Sequence, residues 1–264
     1  MEKGKIAMIL AVSIENTVIS FGAFEEDGTL ACSASIAARP RATADEYAAA
    51  LGQILSLRGL GAGAFSGAAF SSVVPALTPV LKAAVGLLFP GAECMVVSAG
   101  VKTGLNLKVS TATLGSDFVC AAVCALEEFS PPCVIVSLGT ATTFAVIDRG
   151  GVFRGTAISA GVEISAAALH QSAAQLPQIG LEPPQALIGT NTAAALRSGL
   201  VYGTASMIDG MCARFQDELD GPAVFLMTGQ SAPAILPYCR TPFSHQPDLV
   251  LRGLCSLYRK NQKQ

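Results

Sequence analysis

The chain has 264 residues, 51% of them hydrophobic and only 14% charged, where an average globular domain carries roughly a quarter charged residues. That length and apolar content suit one large domain or two smaller ones and exclude a disordered chain. The 17 Lys and Arg and 19 Asp and Glu give a net charge of −2 and are spread along the chain, so no basic field is offered to nucleic acid or to an anionic membrane.

The first apolar segment, Ile6 to Ile14, is too short to span a bilayer. It carries Ser13, lacks a small-residue cleavage signature and runs into Glu15, so it reads as a buried strand. Residues 8–28, MILAVSIENTVISFGAFEEDG, then give a strand, a small polar turn, a second strand and the turn Glu26-Asp27-Gly28, which is a β-hairpin pattern. Thr43-Ala44-Asp45-Glu46 supplies a helix N-cap with an acidic residue three positions later, and Tyr47 to Leu57 continues at helical spacing. Ala68 to Val74 reads as a buried strand stopped by Pro75, followed by a helix from about Leu77 to Leu88 and a strand from Cys94 to Ser98. The longest apolar run, Ala83 to Ala92, holds Pro90 and two glycines, so no stretch approaches the ~18–20 residues of a spanning helix.

The second half repeats the opening. Residues 133–151, CVIVSLGTATTFAVIDRGG, have the layout of the first hairpin, with Val136-Ser137-Leu138 standing 124 residues after Val12-Ser13-Ile14. Ser165 to Ala174 is helical, Asn191-Thr192 caps a long helix through about Leu219, and Ala223 to Met227 is a strand before Thr228-Gly229. Two α/β halves follow, divided as 1–130 and 131–264, each led by a hairpin and carrying a mixed sheet flanked by helices. Such a duplication predicts a cleft between the halves, and glycine-containing turns offer backbone N–H groups to phosphates. The eight cysteines, at 32, 94, 120, 124, 133, 212, 239 and 255, form no Cys-x-x-Cys pair and no metal cadence with His170 or His245. Reduced, buried thiols in a cytoplasmic protein are the expectation, and both histidines read as structural.

Several strings narrow the reading. Thr43-Ala44-Asp45-Glu46-Tyr47, Ser72-Val73-Val74-Pro75, Val101-Lys102-Thr103-Gly104-Leu105-Asn106, Leu138-Gly139-Thr140-Ala141-Thr142-Thr143-Phe144, Gly161-Val162-Glu163-Ile164-Ser165, Ile188-Gly189-Thr190-Asn191-Thr192, Ser198-Gly199 and Pro247-Asp248-Leu249-Val250-Leu251-Arg252-Gly253-Leu254 together resemble type III pantothenate kinases, in that family's order and over essentially the whole chain. The resemblance implies an actin-like, ribonuclease H-like fold of the actin/hexokinase/acetate-kinase kind. It also implies transfer of the ATP γ-phosphate to the primary hydroxyl of pantothenate, which opens coenzyme A synthesis, with Mg²⁺ and a monovalent cation (K⁺ or NH₄⁺) assisting. A dimer in which one subunit reaches the neighbour's substrate is implied as well.

At the chemical centre the sequence departs from the family. The first turn, Asp-x-Gly-Asn-Thr in the family, reads Ser13-Ile14-Glu15-Asn16-Thr17, replacing the Mg²⁺-organising carboxylate with a hydroxyl, a poor partner for a hard divalent cation. Glu15 stands where the family has glycine. A left-handed backbone there would cost roughly 1–2 kcal/mol, and an ionised Glu15 opposes a triphosphate by about 1–4 kcal/mol per charge pair at ~4 Å. The second turn, Asp-Phe-Gly-Thr in the family, reads Ser137-Leu138-Gly139-Thr140, and the Asp after Thr-Thr-Phe is Ala145. Gly-x-Asp-Arg becomes Gly115-Ser116-Asp117-Phe118, keeping the proposed base but placing a ring where a guanidinium would grip substrate. The Tyr after the Lys-Thr-Gly-Leu-Asn segment appears as Val109, and Thr-Gly-Gly is Thr228-Gly229-Gln230.

Carried over residue by residue, the resemblance assigns ATP binding to Ser13, Asn16, Thr17, Gly139, Thr140 and Thr142. It assigns substrate binding to Gly115, Ser116, Asp117, Phe118 and Thr192, and proton abstraction to Asp117; no residue is assigned to a metal. Each has a plainer reading: Asp117 as a helix N-terminal carboxylate, Thr192 as an N-cap, the turn residues as self-satisfying. Glu15 either stands in for the acid lost at Ser13, should the strand continue that far, or is a solvated turn residue. The functional expectation is a pantothenate-kinase-like protein, weak or inactive alone, as a homodimer or in a mixed dimer with an intact family member. The alternatives are a non-catalytic partner subunit and a sensor of nucleotide, pantothenate or coenzyme A.

Overall fold

A computed structural model describes residues 8–61, 64–110, 114–173 and 175–262; the start of the first predicted strand at Ile6 and the predicted helix end at Ala174 lie outside them. The chain forms two compact units, one gathering Met1–Gly104, Ser110–Glu127 and Asp248–Gln264, the other Leu105–Val109 and Glu128–Pro247. A single cut between 130 and 131 therefore misses two exchanges: the C-terminal segment returns to the first unit, and Leu105–Val109 joins the second.

In the first unit β1 (Met8–Ile14), β2 (Val18–Phe24) and β3 (Leu30–Ala37) form an antiparallel meander, and β4 (Phe65–Ser72) and β5 (Glu93–Val96) add in parallel on the far side of β1, giving the order β3-β2-β1-β4-β5. β1 is buried throughout, as a strand covered on both faces must be. Its alternate residues divide between two layers. Leu10, Val12 and Ile14 join a core with Tyr47, Leu51 and Leu55 of α1 (Ala44–Leu57) and Leu81, Ala84 and Val85 of α2 (Thr78–Leu88). The predicted capping box is present: Thr43 Oγ1 accepts the Glu46 N–H, and the Glu46 carboxylate accepts the Thr43 N–H at 2.7 Å. Two further helices, α3 (Ser116–Glu128) and the C-terminal helix from Leu249 to Asn261, complete this unit. They touch at a glycine, since a Cβ at Gly253 would collide with the Cys120 carbonyl, and another at Gly67 of β4 would collide with the Tyr258 hydroxyl.

In the second unit β6 (Asn106–Leu107), β7 (Cys133–Leu138), β8 (Ala141–Ile147), β9 (Val152–Ala160), β10 (Val224–Thr228) and β11 (Ser244–His245) make the order β11-β10-β7-β8-β9-β6. Without β6 this is the first sheet again: an antiparallel β7-β8-β9 meander with β10 and β11 added in parallel beside β7. The duplication read from the hairpins thus extends to whole sheets, and the architecture is a duplicated actin-like α/β fold. α4 (Val162–Ser172), the long α5 (Thr192–Glu218) and the short α6 (Ala232–Ile235) flank this sheet, with Val201, Ala205 and Ile208 of α5 packed in a core with Val134, Val136 and Leu138. The C-terminal helix, Leu249–Asn261, is α7. No helix among the described residues is long and apolar enough to cross a membrane.

Candidate active site

In the first unit the site is built where β1 and β4 end. The strands run parallel with Ser13 beside Ser71 and Ile14 beside Ser72. Ser13 lies on the face of β1 opposite Leu10, Val12 and Ile14 and is 2% exposed. Ser116, the first residue of α3, pins the helix to the end of β4: its Oγ is 2.8 Å from Ser71 Oγ, accepts the Ser72 N–H at 3.0 Å and lies 3.2 Å from the Ser72 carbonyl. Gly115 leaves room for the Asp117 side chain to fold back, because a Cβ there would collide with Asp117 Oδ1 and stand 3.4 Å from the Phe118 ring. Asp117 Oδ1 is buried with no hydrogen-bond partner. Burial raises the Asp117 carboxyl above its usual range, while the N–H groups of Phe118 and Asp117 itself hold it back.

The sequence separates Glu15 from Asp117 by about a hundred residues, and the fold brings their charges together. β1 ends at Ile14, so Glu15 does not continue the face of Ser13 as a strand residue. The Glu15 N–H donates to the Val18 carbonyl at 2.9 Å and closes the turn. Burial, and then the charge of Asp117, push the half-buried Glu15 carboxyl up to about 7. Among the described residues every positive φ belongs to a glycine, so the left-handed strain considered for Glu15 does not arise. Asn16 and Thr17 are exposed at the turn tip, with the Thr17 carbonyl accepting from Ala38 at 3.0 Å.

In the second unit Ser137 occupies in β7 the place that Ser13 holds in β1, paired with Thr143 on one side and Thr228 on the other. The turn after it, Gly139-Thr140, is one residue shorter between paired positions and is enclosed by glycine backbone. A Cβ at Gly161 would collide with the Gly139 and Thr140 carbonyls; Gly229, at φ 96°, would bring one to 2.5 Å from the Leu138 carbonyl. Gly161 donates to the Thr140 carbonyl at 3.2 Å and Ser231 to the Leu138 carbonyl at 3.0 Å. Thr142 is fully buried, and its Oγ1 has no hydrogen-bond partner. The site assignment did not include Gly161 or Gly229; both lay in the quoted strings, and the need for close backbone approach was the signal.

Thr192 is the exposed first residue of α5, but the cap is Asn191, whose side chain accepts the Ala194 N–H at 2.9 Å. The N-cap alternative for Thr192 is therefore corrected: Asn accepts the N–H in the preceding, extended position. His170 is tied through Nδ1 to the Leu176 carbonyl at 2.8 Å, an ordinary loop contact. Ser13, Asn16, Thr17, Gly115, Ser116, Asp117 and Phe118 share the first unit, whereas Gly139, Thr140, Thr142 and Thr192 share the second.

The donor set does not fit a protein-held Mg²⁺. The equivalent positions 13 and 137 offer hydroxyls, and among the described residues no three His, Cys, Asp or Glu side chains cluster as a metal site, whereas Mg²⁺ is held through carboxylates and phosphates. At the second turn Ser137 likewise offers a cation a hydroxyl where the family has a carboxylate.

The profile of the type III pantothenate kinase family matches residues 9–214. The chain is 35% identical to a protein of Moorella thermoacetica named type III pantothenate kinase, over 96% of this chain and 100% of that one, and 36% identical to one of the same name from Nocardia farcinica, over 97% and 98%. Among solved structures, component A of the Acidaminococcus fermentans (R)-2-hydroxyglutaryl-CoA dehydratase matches with a TM-score of 0.57 at 10% identity, over 96% of this chain and 98% of that one, a likeness of fold alone. With a profile match over most of its length and relatives more than a third identical from end to end, this chain belongs to the type III pantothenate kinase family.

Proposed function

We propose that this chain is a member of the family whose own phosphoryl-transfer centre has lost its acidic anchors, leaving a protein that recognises ATP and pantothenate at most weakly and turns them over slowly or not at all alone. The observation that carries the reading is the paired substitution. Ser13 and Ser137 stand at equivalent places in two equivalent sheets, and each puts a neutral hydroxyl where charge neutralisation of a transferring phosphoryl group is required. Asp117 supports the family role of proton acceptor for the pantothenate hydroxyl, because it is half-buried, raised by burial and free at one oxygen. Phe118 offers that substrate no charge. Asn16, Thr17, Gly139, Thr140 and Thr142 are the hydrogen-bonding remainder of the nucleotide site.

A partner role is the second reading, and the surface of the second unit favours it. Ile158 is 68% exposed, Leu187 64% and Ile188 83%, with Ile164 and Leu169 of α4 also in solvent, an unusual share of large apolar side chains for a free surface. A homodimer, or a mixed dimer with a complete pantothenate kinase to which Thr192 is presented, would cover them. The eight cysteines are all free thiols, which suits the reducing cytoplasm.

Purified protein assayed with ATP, Mg²⁺ and pantothenate tests the proposal: turnover at the ~1–100 s⁻¹ typical of kinases overturns it. Copurification with an intact family member, together with calorimetry showing little binding of ATP or coenzyme A by the isolated chain, separates the partner role from a sensor.

A further inference from the structure

The first sheet ends on one side in β3, and no strand among the described residues lies beyond it. An edge strand offers its outward N–H and C=O groups to any second strand, and proteins guard such edges with charge, proline or short length. The other edges follow that rule: β5 has four residues and carries Glu93, and β6 and β11 have two each. β3 does not. It runs for eight residues, Leu30–Ala37, with no charged residue and no proline. Its core-facing side chains are also left unfinished. Cys32, Ala34 and Ile36 pack against the first core yet stay half-buried, whereas Ala23, Phe21 and Ile19 opposite them in β2 are buried.

The charges lie at the two ends of this strand. Glu25, Glu26 and Asp27 precede β3, Arg39 and Arg41 follow it, and Glu26, Asp27 and both arginines are exposed. Asp27 is partly engaged within the chain, accepting the Thr29 N–H at 2.8 Å and feeling Arg259 of α7, and Arg39 acts on Glu46. Glu26 and Arg41 take part in no ion pair among the described residues. The edge therefore has an acidic entrance, an uncharged middle and a basic exit. A parallel neighbour of the same sequence would set acid on acid and base on base, whereas an antiparallel one sets each acidic end on a basic end.

We propose that β3 is the docking edge for a second copy of this chain, the two β3 strands pairing antiparallel so that two five-stranded sheets become one. With Ser33 opposite its own copy, Leu30 faces Ile36, Cys32 faces Ala34, and residues 25–27 of each copy meet 39–41 of the other. The outward backbone groups gain partners, and the half-buried Cys32, Ala34 and Ile36 gain cover. An eight-residue strand pair is small beside the ~1,600 Å² of a standard interface, so the contact is weak, and its charged ends make it sensitive to salt. It uses no residue of the phosphoryl-transfer centre and does not depend on the kinase reading.

Sedimentation velocity of the full-length protein across a wide concentration range tests it with two charge-reversed variants. Arg39→Glu with Arg41→Glu, and Glu25→Lys with Glu26→Lys, each put like charges at both ends of the pair. Each variant should associate at least about tenfold more weakly than the wild type, while their equimolar mixture recovers wild-type association. Recovery on mixing also shows that neither variant is misfolded. Hydrogen exchange of the outward-pointing β3 amides should slow at least about tenfold between dilute and concentrated wild type. A wild type that does not associate, or whose association both variants keep unchanged, overturns the pairing; unchanged association is what a dimer built on the exposed side chains of the second unit gives. Protection of those amides that does not vary with concentration means that another segment covers the edge, and it overturns the pairing too. A kinase assay reads none of these quantities, so the pairing and the loss of carboxylates at 13 and 137 fall separately.

Discussion

Replacing Glu15 with Gln should stabilise the protein at neutral and alkaline pH and do nearly nothing in acid. The ordinary value for this carboxyl is 4.5, and burial with the Asp117 charge raises it in the folded state to about 7. Between those values the folded chain holds a proton that the unfolded chain has released, so stability falls as pH rises through this window, and the penalty is complete above it. A rise of that size corresponds to at most about 3 kcal/mol, a large part of the 5–15 kcal/mol by which domains are commonly stable. Gln keeps the shape and cannot ionise. Urea unfolding of both proteins at half-unit steps from pH 4.5 to 8.5 should show curves that coincide at the acid end and diverge by about 2–3 kcal/mol at the alkaline end. Titrating groups that do not interact with Glu15 cancel in the comparison; Asp117, whose charge acts on it, does not. Parallel curves across the range would mean that the Glu15 side chain stays hydrated in the folded protein, and the reasoning about its burial would be wrong.

The remaining predictions test the site and its supports. Ser13→Asp, Glu15→Gly and Ser137→Asp combined should raise ATP·Mg affinity by at least tenfold in calorimetry, because each restores a missing anchor or removes an opposing charge; no gain would show that the losses at these turns do not limit binding. Gly253→Ala should cost about 1–3 kcal/mol in urea unfolding through its collision with the Cys120 carbonyl, an atom of the backbone that cannot rotate aside. Asn191→Ala should cost about 1 kcal/mol by orphaning the Ala194 N–H, and Thr192→Ala distinctly less in the same assay, since Thr192 does not cap the helix.

Much of the fold was legible because the hairpins carry their own signals: short β-branched runs, a turn with Thr, and Asp-Gly or Arg-Gly-Gly endings. Four strands were not read: β6 and β11, each only two residues long, and β3 and β9, whose sequences mark the limit. β3 is Leu-Ala-Cys-Ser-Ala-Ser-Ile-Ala with half-buried and exposed positions but no buried one, and its small polar residues resemble loop until a neighbouring strand supplies hydrogen bonds; β9 opens on Val-Phe but continues through Arg and Gly. The domain division failed for a related reason. α7 joins the first unit because Tyr258 lies over Gly67 and Gly253 against Cys120, contacts between residues more than a hundred positions apart that no local window contains. At the site, Asp117 and the two turns could be found from motif order, while the Glu15–Asp117 proximity needed the Ser116 clasp, whose three hydrogen bonds depend on strand register.

The substitutions at 13, 15 and 137 have unequal physical consequences. Position 13 lies inside the sheet, 2% exposed and beside Ser71, so an ionised carboxylate there without a cation would carry a desolvation penalty of several kcal/mol; serine removes that penalty once no metal is bound. Ser137 is half-buried between Thr143 and Thr228, and the same relief is partial. Glu15 runs the other way, adding an ionisable group to a half-buried turn at a cost that grows with pH. Relaxation toward a more stable scaffold accounts for the two serines but opposes the glutamate. Stabilisation of the scaffold therefore explains position 13 and part of position 137 but not position 15, and the pH dependence of unfolding in Glu15→Gln separates that opposing cost from the relief at the two serines.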